Sequence, residues 1–357
     1  MAKITYHDTE TTGTAAEDRI IETAHLLVEN GKLVEYIEDL CKPDNVKIKA
    51  AAAATHGYRN SDIKDKPSFN DTISASKLTQ FSEEDVYYVA HNAPFDLGML
   101  AKEGVSFSPK KVIDTLRVAR HMYADDERIE MYKLQYFRYV FEKEDGTDEF
   151  EDLEREYMKQ LNVTHIQPHT ALSDILVLWI FHEKLARDFN LSPDDMVRLS
   201  QQPTMERGIQ FGNVFEKGKP YSDIMNESYT QFGKTKRGYE YLIWAVENMS
   251  MSLDREYTIK SHLARGLITG QISSLYQNEK YLNWGLLFVF DEEETKRALN
   301  LTFADTDFLE KLKAAYIKRT EEFIASVEKQ GEDASAEDIE KLTKEKFFYN
   351  YFMNYRR

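Results

Sequence analysis

The sequence predicts an α/β fold over residues 1–195, a mixed sheet covered by helices, followed by a small module at 203–250 and a mainly helical region at 251–357. Three observations carry this. Short β-prone runs alternate with helical stretches through the first part, an order suited to a sheet with both faces covered. Glycine, aromatic and lysine or arginine residues then cluster between about 205 and 250. Beyond 251 the apolar spacing is helical and the charge is high.

Residues 3–9 form a short β-prone run, 20–28 (IIETAHLLV) a second, and 33–41 complete an antiparallel meander. The alanine-rich stretch 48–55 reads as a helix that stops at Gly57. Residues 87–90 (YYVA) predict a strand running into a loop at His91 and Asn92, with a helix over 95–103. Val112 and Ile113 predict another strand, followed by a helix over 116–123. The acidic stretch 145–152, with Gly146, reads as a loop or insertion, and 173–189 has helical spacing that should pack on the sheet. A domain boundary is expected near Ser192-Pro193 or between Gln201 and Pro203.

Composition narrows the function. With 42% hydrophobic residues among 357, a sizeable core is available, and no apolar run reaches membrane-spanning length. Cys41 is the only cysteine, which excludes an intramolecular disulfide and a cysteine-rich zinc site. The opening MAKITYHD has no leader-like apolar stretch, so the cytoplasm is the expected compartment. A net charge of −16 should repel a polyanion and argues against a protein that coats nucleic acid. A metal-dependent enzyme is compatible with that charge, because bound divalent cations invert the local field.

The residues that carry chemistry begin with Asp8-Thr9-Glu10-Thr11-Thr12-Gly13. Side chains alternate along a strand, so Asp8 and Glu10 share a face. Two carboxylates on a core-forming strand are unfavourable unless a cation compensates them, and hard divalent ions take such oxygen ligands. Equally, the triplet suits a strand end turning into solvent. Asp96 follows the YYVA strand within His91-Asn92-Ala93-Pro94-Phe95-Asp96; it suits either a site or the acid favoured at a helix N-terminus. Asp174 lies in the 173–189 helix, where Ser173 also permits a capping role, and His169 stands five residues upstream at or just before the helix start.

These three segments, in this order, resemble the DEDDh exonuclease superfamily, which includes the proofreading subunit of bacterial DNA polymerase III, oligoribonuclease and exonuclease X. Softer matches are Arg19-Ile20-Ile21-Glu22, His56-Gly57 and Asp114-Thr115; the sister group with a tyrosine base would need tyrosine where this chain has Thr170. The resemblance implies a ribonuclease-H-like sheet flanked by helices and a 3′→5′ exonuclease. It also implies two divalent cations, Mg²⁺ or Mn²⁺, one held by Asp8, Glu10 and Asp174, the other by Asp8 with Asp96. His169 would then be the general base, and the DNA 3′ end would lie against Thr9, Thr11, Thr12, Asn92 and Phe95. Phe95 has an alternative place in the core. More weakly, Phe211-Gly212-Asn213 and the stretch from Tyr239 to Trp244 are similar to a small module appended to exonuclease X-like proteins.

Two other readings stay open at the level of sequence: an exonuclease that trims RNA, and a catalytically idle binding or scaffold protein. His7 should face away from Asp8, and His165 has no third ligand to make a zinc site with His169. Lys217, Lys219, Lys234, Lys236 and Arg237, interleaved with Phe215, Tyr221, Phe232 and Tyr239, suit contact with single-stranded nucleic acid or an ordinary solvated surface. The terminal KFFYNYFMNYRR suits docking of a protein partner or folding back on the helical region.

Overall fold

An Asn30-Gly31 turn with positive φ at both residues (55° and 73°) joins the first hairpin, the two-residue geometry that matches the natural twist of paired strands. In the computed structural model, which describes residues 2–105, 107, 109–124, 126, 128–141, 149–161, 163–164, 169–268 and 271–272, that turn links β2 (Ile20–Glu29) to β3 (Lys32–Leu40). Both lie antiparallel in a meander with β1 (Lys3–Thr11). On its other side β1 pairs in parallel with β4 (Tyr87–Ala90), and β4 with β5 (Lys111–Asp114), giving the order β3-β2-β1-β4-β5. The mixed sheet is the one that the alternating runs predict.

Between β3 and β4 come α1 (Ala50–His56), α2 (Asn60–Ile63) and α3 (Ile73–Glu83). Gly57 ends α1 at φ 83°, the left-handed stop that its position predicts. The later helices are α4 (Ala93–Lys102), α5 (Thr115–Met122), α6 (Leu134–Val140), α7 (Glu149–Gln160), α8 (Ala171–Asp188) and α9 (Pro193–Gln201).

Helix α8 organises one face of the sheet. Trp179, Phe181, Leu176 and Ile175 are fully buried with Tyr6, Val89 and Ile113, each large apolar side chain contributing roughly 1.5–3 kcal/mol. The Tyr157 and Trp179 rings stack at 3.8 Å, and those of Phe137 and Phe181 at 4.1 Å. On the opposite face Ile20, Phe69, Leu78, Met99 and Leu100 form a second cluster. Both faces of β2 are therefore covered, and it is buried from Ile20 to Val28.

The structure differs from the sequence reading at three places. Residues 149–152 are helical rather than loop, because Phe150 and Tyr157 share one buried face of α7; 145–148 lie outside the described residues. Ser192 is a helix cap rather than part of a linker: its Oγ accepts from Asp195 N at 3.1 Å and α9 packs on β5. The first compact unit accordingly runs over residues 1–202 and the second starts at 203. Third, α12 (Leu253–Ile268) packs on α10 (Tyr221–Asn226) and α11 (Gly238–Asn248), so no structural break falls at 250.

The second unit also holds the hairpin β6 (Ser228–Gln231) and β7 (Lys234–Arg237). Its glycines have a packing reason: a Cβ at Gly238 would lie 1.9 Å from the Ile224 carbonyl oxygen, and one at Gly208 2.2 Å from that of Gly218. Residues 273–357, with the terminal KFFYNYFMNYRR, and His165 lie outside the described residues. Among the described residues no helix is long and apolar enough to cross a membrane.

Candidate active site

Strand β1 outruns its neighbour: pairing with β4 covers Ile4 to Tyr6 only, so Asp8 and Glu10 project past the end of β4. A register shift between Glu10 and Thr11 re-aims the strand there. Asp174 arrives from the first turn of α8, whose N-cap is Thr170, its Oγ1 accepting from Ser173 N at 3.3 Å. Carboxylate oxygens of Asp8, Glu10 and Asp174 all lie within 4.8 Å of one another. Asp96, in the first turn of α4 and only 3% exposed, is not in that trio. Its Oδ1 accepts the Thr9 hydroxyl at 2.7 Å. His169, exposed and with left-handed φ of 58°, precedes the α8 cap, and its charge acts on Asp174.

Burial together with Asp174, Asp96 and Glu10 holds the Asp8 carboxyl well above the usual carboxylate range. Burial, then Asp174 and Glu22, pushes Glu10 to about 9. Burial raises Asp96 to about 7 against the Thr9 hydrogen bond, and raises Asp174 against Gln135 and His169. Hard oxygen donors gathered in a buried place that disfavours their ionised forms are the donor set of a hard divalent cation. The residues fit that group.

This crowding sets a pH dependence for the metal-free protein. Carboxyls whose folded pKa exceeds the unfolded value keep protons that the unfolded chain has lost, so stability falls as pH rises between the two values. The window runs from the ordinary carboxylate range through about 7 for Asp96 to about 9 for Glu10. Melting temperature in EDTA is expected to fall from about pH 5 to about pH 9, and saturating Mg²⁺ to flatten that slope. A flat or rising profile in EDTA would contradict the burial and crowding of these carboxyls.

Two residues build the site without being evident as members of it. Gln135, from α6, donates from Nε2 to the Asp174 carboxylate. Glu22, on β2, accepts from Ala171 N at 2.9 Å and from the Tyr58 hydroxyl at 2.5 Å, which ties the start of α8 to the sheet. Its place in the Arg19-Ile20-Ile21-Glu22 match was the available signal; Gln135 had none.

The residues expected to meet substrate separate into two groups. Beside Glu10 is a cavity of about 410 Å³, lined among others by Thr9, Thr11, His56 and Phe95. Phe95 is half-buried and also packs on the Ile20 and Met99 cluster. Thr12 and Asn92 are not among its lining residues. The Thr12 hydroxyl donates to Asp18 at 2.9 Å, its N–H to the Arg19 carbonyl at 2.9 Å, and its own carbonyl accepts from Lys49 N at 3.0 Å. These groups of Thr12 are all engaged inside the loop. Asn92 is exposed at φ 69°, and its N–H donates to Asp114 Oδ1 at 2.9 Å. His7 is buried on the other side of β1 from Asp8, its Nδ1 3.0 Å from that of His25.

Residues 5–179 match the RNase T exonuclease family. The 3′-5′ exonuclease DinG of Bacillus subtilis (strain 168) is 30% identical over 173 residues, which are 47% of this chain and 16% of that protein. A PolC-type DNA polymerase III of Staphylococcus epidermidis is 24% identical over 272 residues, covering 66% of this chain and 18% of the polymerase. Exodeoxyribonuclease 10 of Escherichia coli (strain K12) is 26% identical over 260 residues, 72% of this chain and 96% of that enzyme. The chain thus spans under a fifth of the first two relatives and nearly all of the third. A solved structure of exonuclease X with 5′ overhanging duplex DNA aligns with 55% of this chain and 99% of its own at 22% identity and a TM-score of 0.38. Over residues 5–179 the chain is thus similar to the DEDDh 3′→5′ exonuclease family.

Proposed function

We propose that the chain is a metal-dependent 3′→5′ exodeoxyribonuclease that releases nucleoside 5′-monophosphates from single-stranded or frayed 3′ ends. The observation that carries this is the approach of Asp8, Glu10 and Asp174 within 4.8 Å, with Asp96 beside them and His169 exposed next to Asp174. Two divalent cations, Mg²⁺ or Mn²⁺, bound by Asp8, Glu10 and Asp174 and by Asp8 with Asp96, would acidify the attacking water and neutralise charge on the phosphate and the departing oxygen.

The chain's own residues do the rest. His169 accepts the proton of the attacking water as its oxygen bonds to phosphorus, and the bond from phosphorus to the 3′ oxygen of the shortened strand breaks. The cavity beside Glu10 receives the terminal nucleotide, with Phe95 as a stacking surface and Thr11 at its wall. Gln135 keeps the Asp174 carboxylate in place. DNA is the preferred polymer because Exodeoxyribonuclease 10, the relative covered almost end to end, carries that activity in its name.

The test is digestion of a 5′-labelled single-stranded DNA oligonucleotide with Mg²⁺ or Mn²⁺, beside an RNA of the same sequence and an EDTA control. A ladder shortening from the 3′ end, lost in EDTA and faster on DNA, supports the reading. Faster shortening of RNA would move the assignment to an exoribonuclease, and metal-dependent thermal stabilisation without cleavage to a binding protein.

A further inference from the structure

The β6–β7 hairpin of the second unit presents a side chain that folding does not require. Its two-residue turn is Phe232-Gly233, with φ of 53° and 72°. Both central positions of such a turn need the left-handed region, which favours asparagine, aspartate or glycine and disfavours a bulky residue. Phe232 nevertheless stands there, 94% exposed, with almost no packing to offset the conformation. A side chain that breaks a local rule without a packing gain points to a contact outside the fold.

Charge indicates what that contact is. Within a chain of net charge −16, residues 228–237 (SYTQFGKTKR) hold three cations and no carboxylate. Lys234, Lys236 and Arg237 are all exposed. Of the acids that flank the hairpin, Glu227 pairs with Lys219, and Glu240 accepts from Arg237 N at 2.6 Å as part of the α11 cap, next to that end of the ribbon. Pairing of Gln231 with Lys234 and of Tyr229 with Lys236 sets both lysines on one face of the ribbon, spaced by one strand repeat. The root of the ribbon is fixed, since Tyr229 packs against Phe215 and Tyr241 at 5.6 and 5.9 Å between ring centres.

We propose that this hairpin is a second nucleic-acid contact, in which Phe232 stacks on an unpaired base and Lys234, Lys236 and Arg237 contact backbone phosphates. Aromatic stacking combined with cations that follow the backbone is how proteins hold single strands without reading sequence. The inference rests on the reading that the first unit acts on a DNA strand. It adds a contact on the second unit, which gives an acidic chain the local basic surface that binding a polyanion requires.

The experiment compares the full-length wild-type chain with Phe232→Asn and with the double variant Lys234→Gln, Lys236→Gln. Binding is followed by anisotropy of a 5′-fluorescent oligothymidylate in EDTA over a series of salt concentrations, and melting temperature is recorded for each protein. Phe232→Asn should melt no lower than wild type, because asparagine suits the turn, yet bind about tenfold more weakly. The double variant should lower the slope of log affinity against log salt by about 1.4, or about 0.7 for each single-strand phosphate that is no longer neutralised. Unchanged affinity and slope in both variants would overturn the inference, as would a fall in melting temperature that accounts for the weaker binding of Phe232→Asn. Cleavage by the wild type, measured separately with Mg²⁺, reports on the first unit. A chain that cuts DNA while both variants bind like wild type refutes the hairpin alone; weakened variants of a chain that does not cut refute the nuclease reading alone.

Discussion

Asp8→Asn is expected to reduce hydrolysis to background while raising the melting temperature of the metal-free protein. The two effects have one cause. Burial, then Asp174, Asp96, Glu10 and Glu22, raise the proton affinity of Asp8. Asparagine keeps the shape and is neutral without holding a proton that the unfolded chain releases, so the folded state without metal gains. A gain of about 1 kcal/mol would shift melting by about 2–4 °C in a unit of this size. The same change removes a hard anionic ligand from the proposed cation sites, so added Mg²⁺ should stabilise the variant less than the wild type. Calorimetry in EDTA and in Mg²⁺, with oligonucleotide digestion on the same samples, measures both. Retained turnover with normal melting would remove Asp8 from the mechanism. A lower melting temperature in EDTA would mean that its carboxylate is paired with a cationic group of the fold.

How much of this was legible in the sequence depends on how local each feature is. The shared face of Asp8 and Glu10 follows from alternation along one strand, and the position of Asp174 follows from the helical spacing of 173–189; both hold in the structure. Glu22 accepting from Ala171 N, and Gln135 donating to Asp174, join residues far apart in the chain and arise only when α8 and α6 pack on the sheet. The helix at 149–160 was hidden by its acidity. Its charges are satisfied along its own surface, Arg155 pairing with Glu151 at 2.8 Å and Asp152 at 3.0 Å, while Phe150 and Tyr157 supply the buried face. The hydroxyl, N–H and carbonyl of Thr12 close the loop to Asp18, Arg19 and Lys49, partners that its place in the motif does not announce.

His169→Gly separates catalysis from folding more cleanly than alanine does. At φ 58° a side chain strains the backbone and glycine does not. Stability should therefore hold, whereas alanine would leave the strain in place. If His169 takes the proton from the attacking water, turnover should fall by about 10²–10⁴-fold, the range for loss of a general base. Metal-induced stabilisation should be unchanged, because no carboxylate is touched and His169 acts on the cluster only through its effect on Asp174. Exposure of the residue adds a further readout: free imidazole can reach the vacated position, so added imidazole should restore part of the rate to His169→Gly and none to Asp8→Asn. A small loss of rate with no rescue would place the base elsewhere. Loss of metal-induced stabilisation in His169→Gly would instead make His169 part of the cation site, and the carboxylates would then lack an assigned proton acceptor.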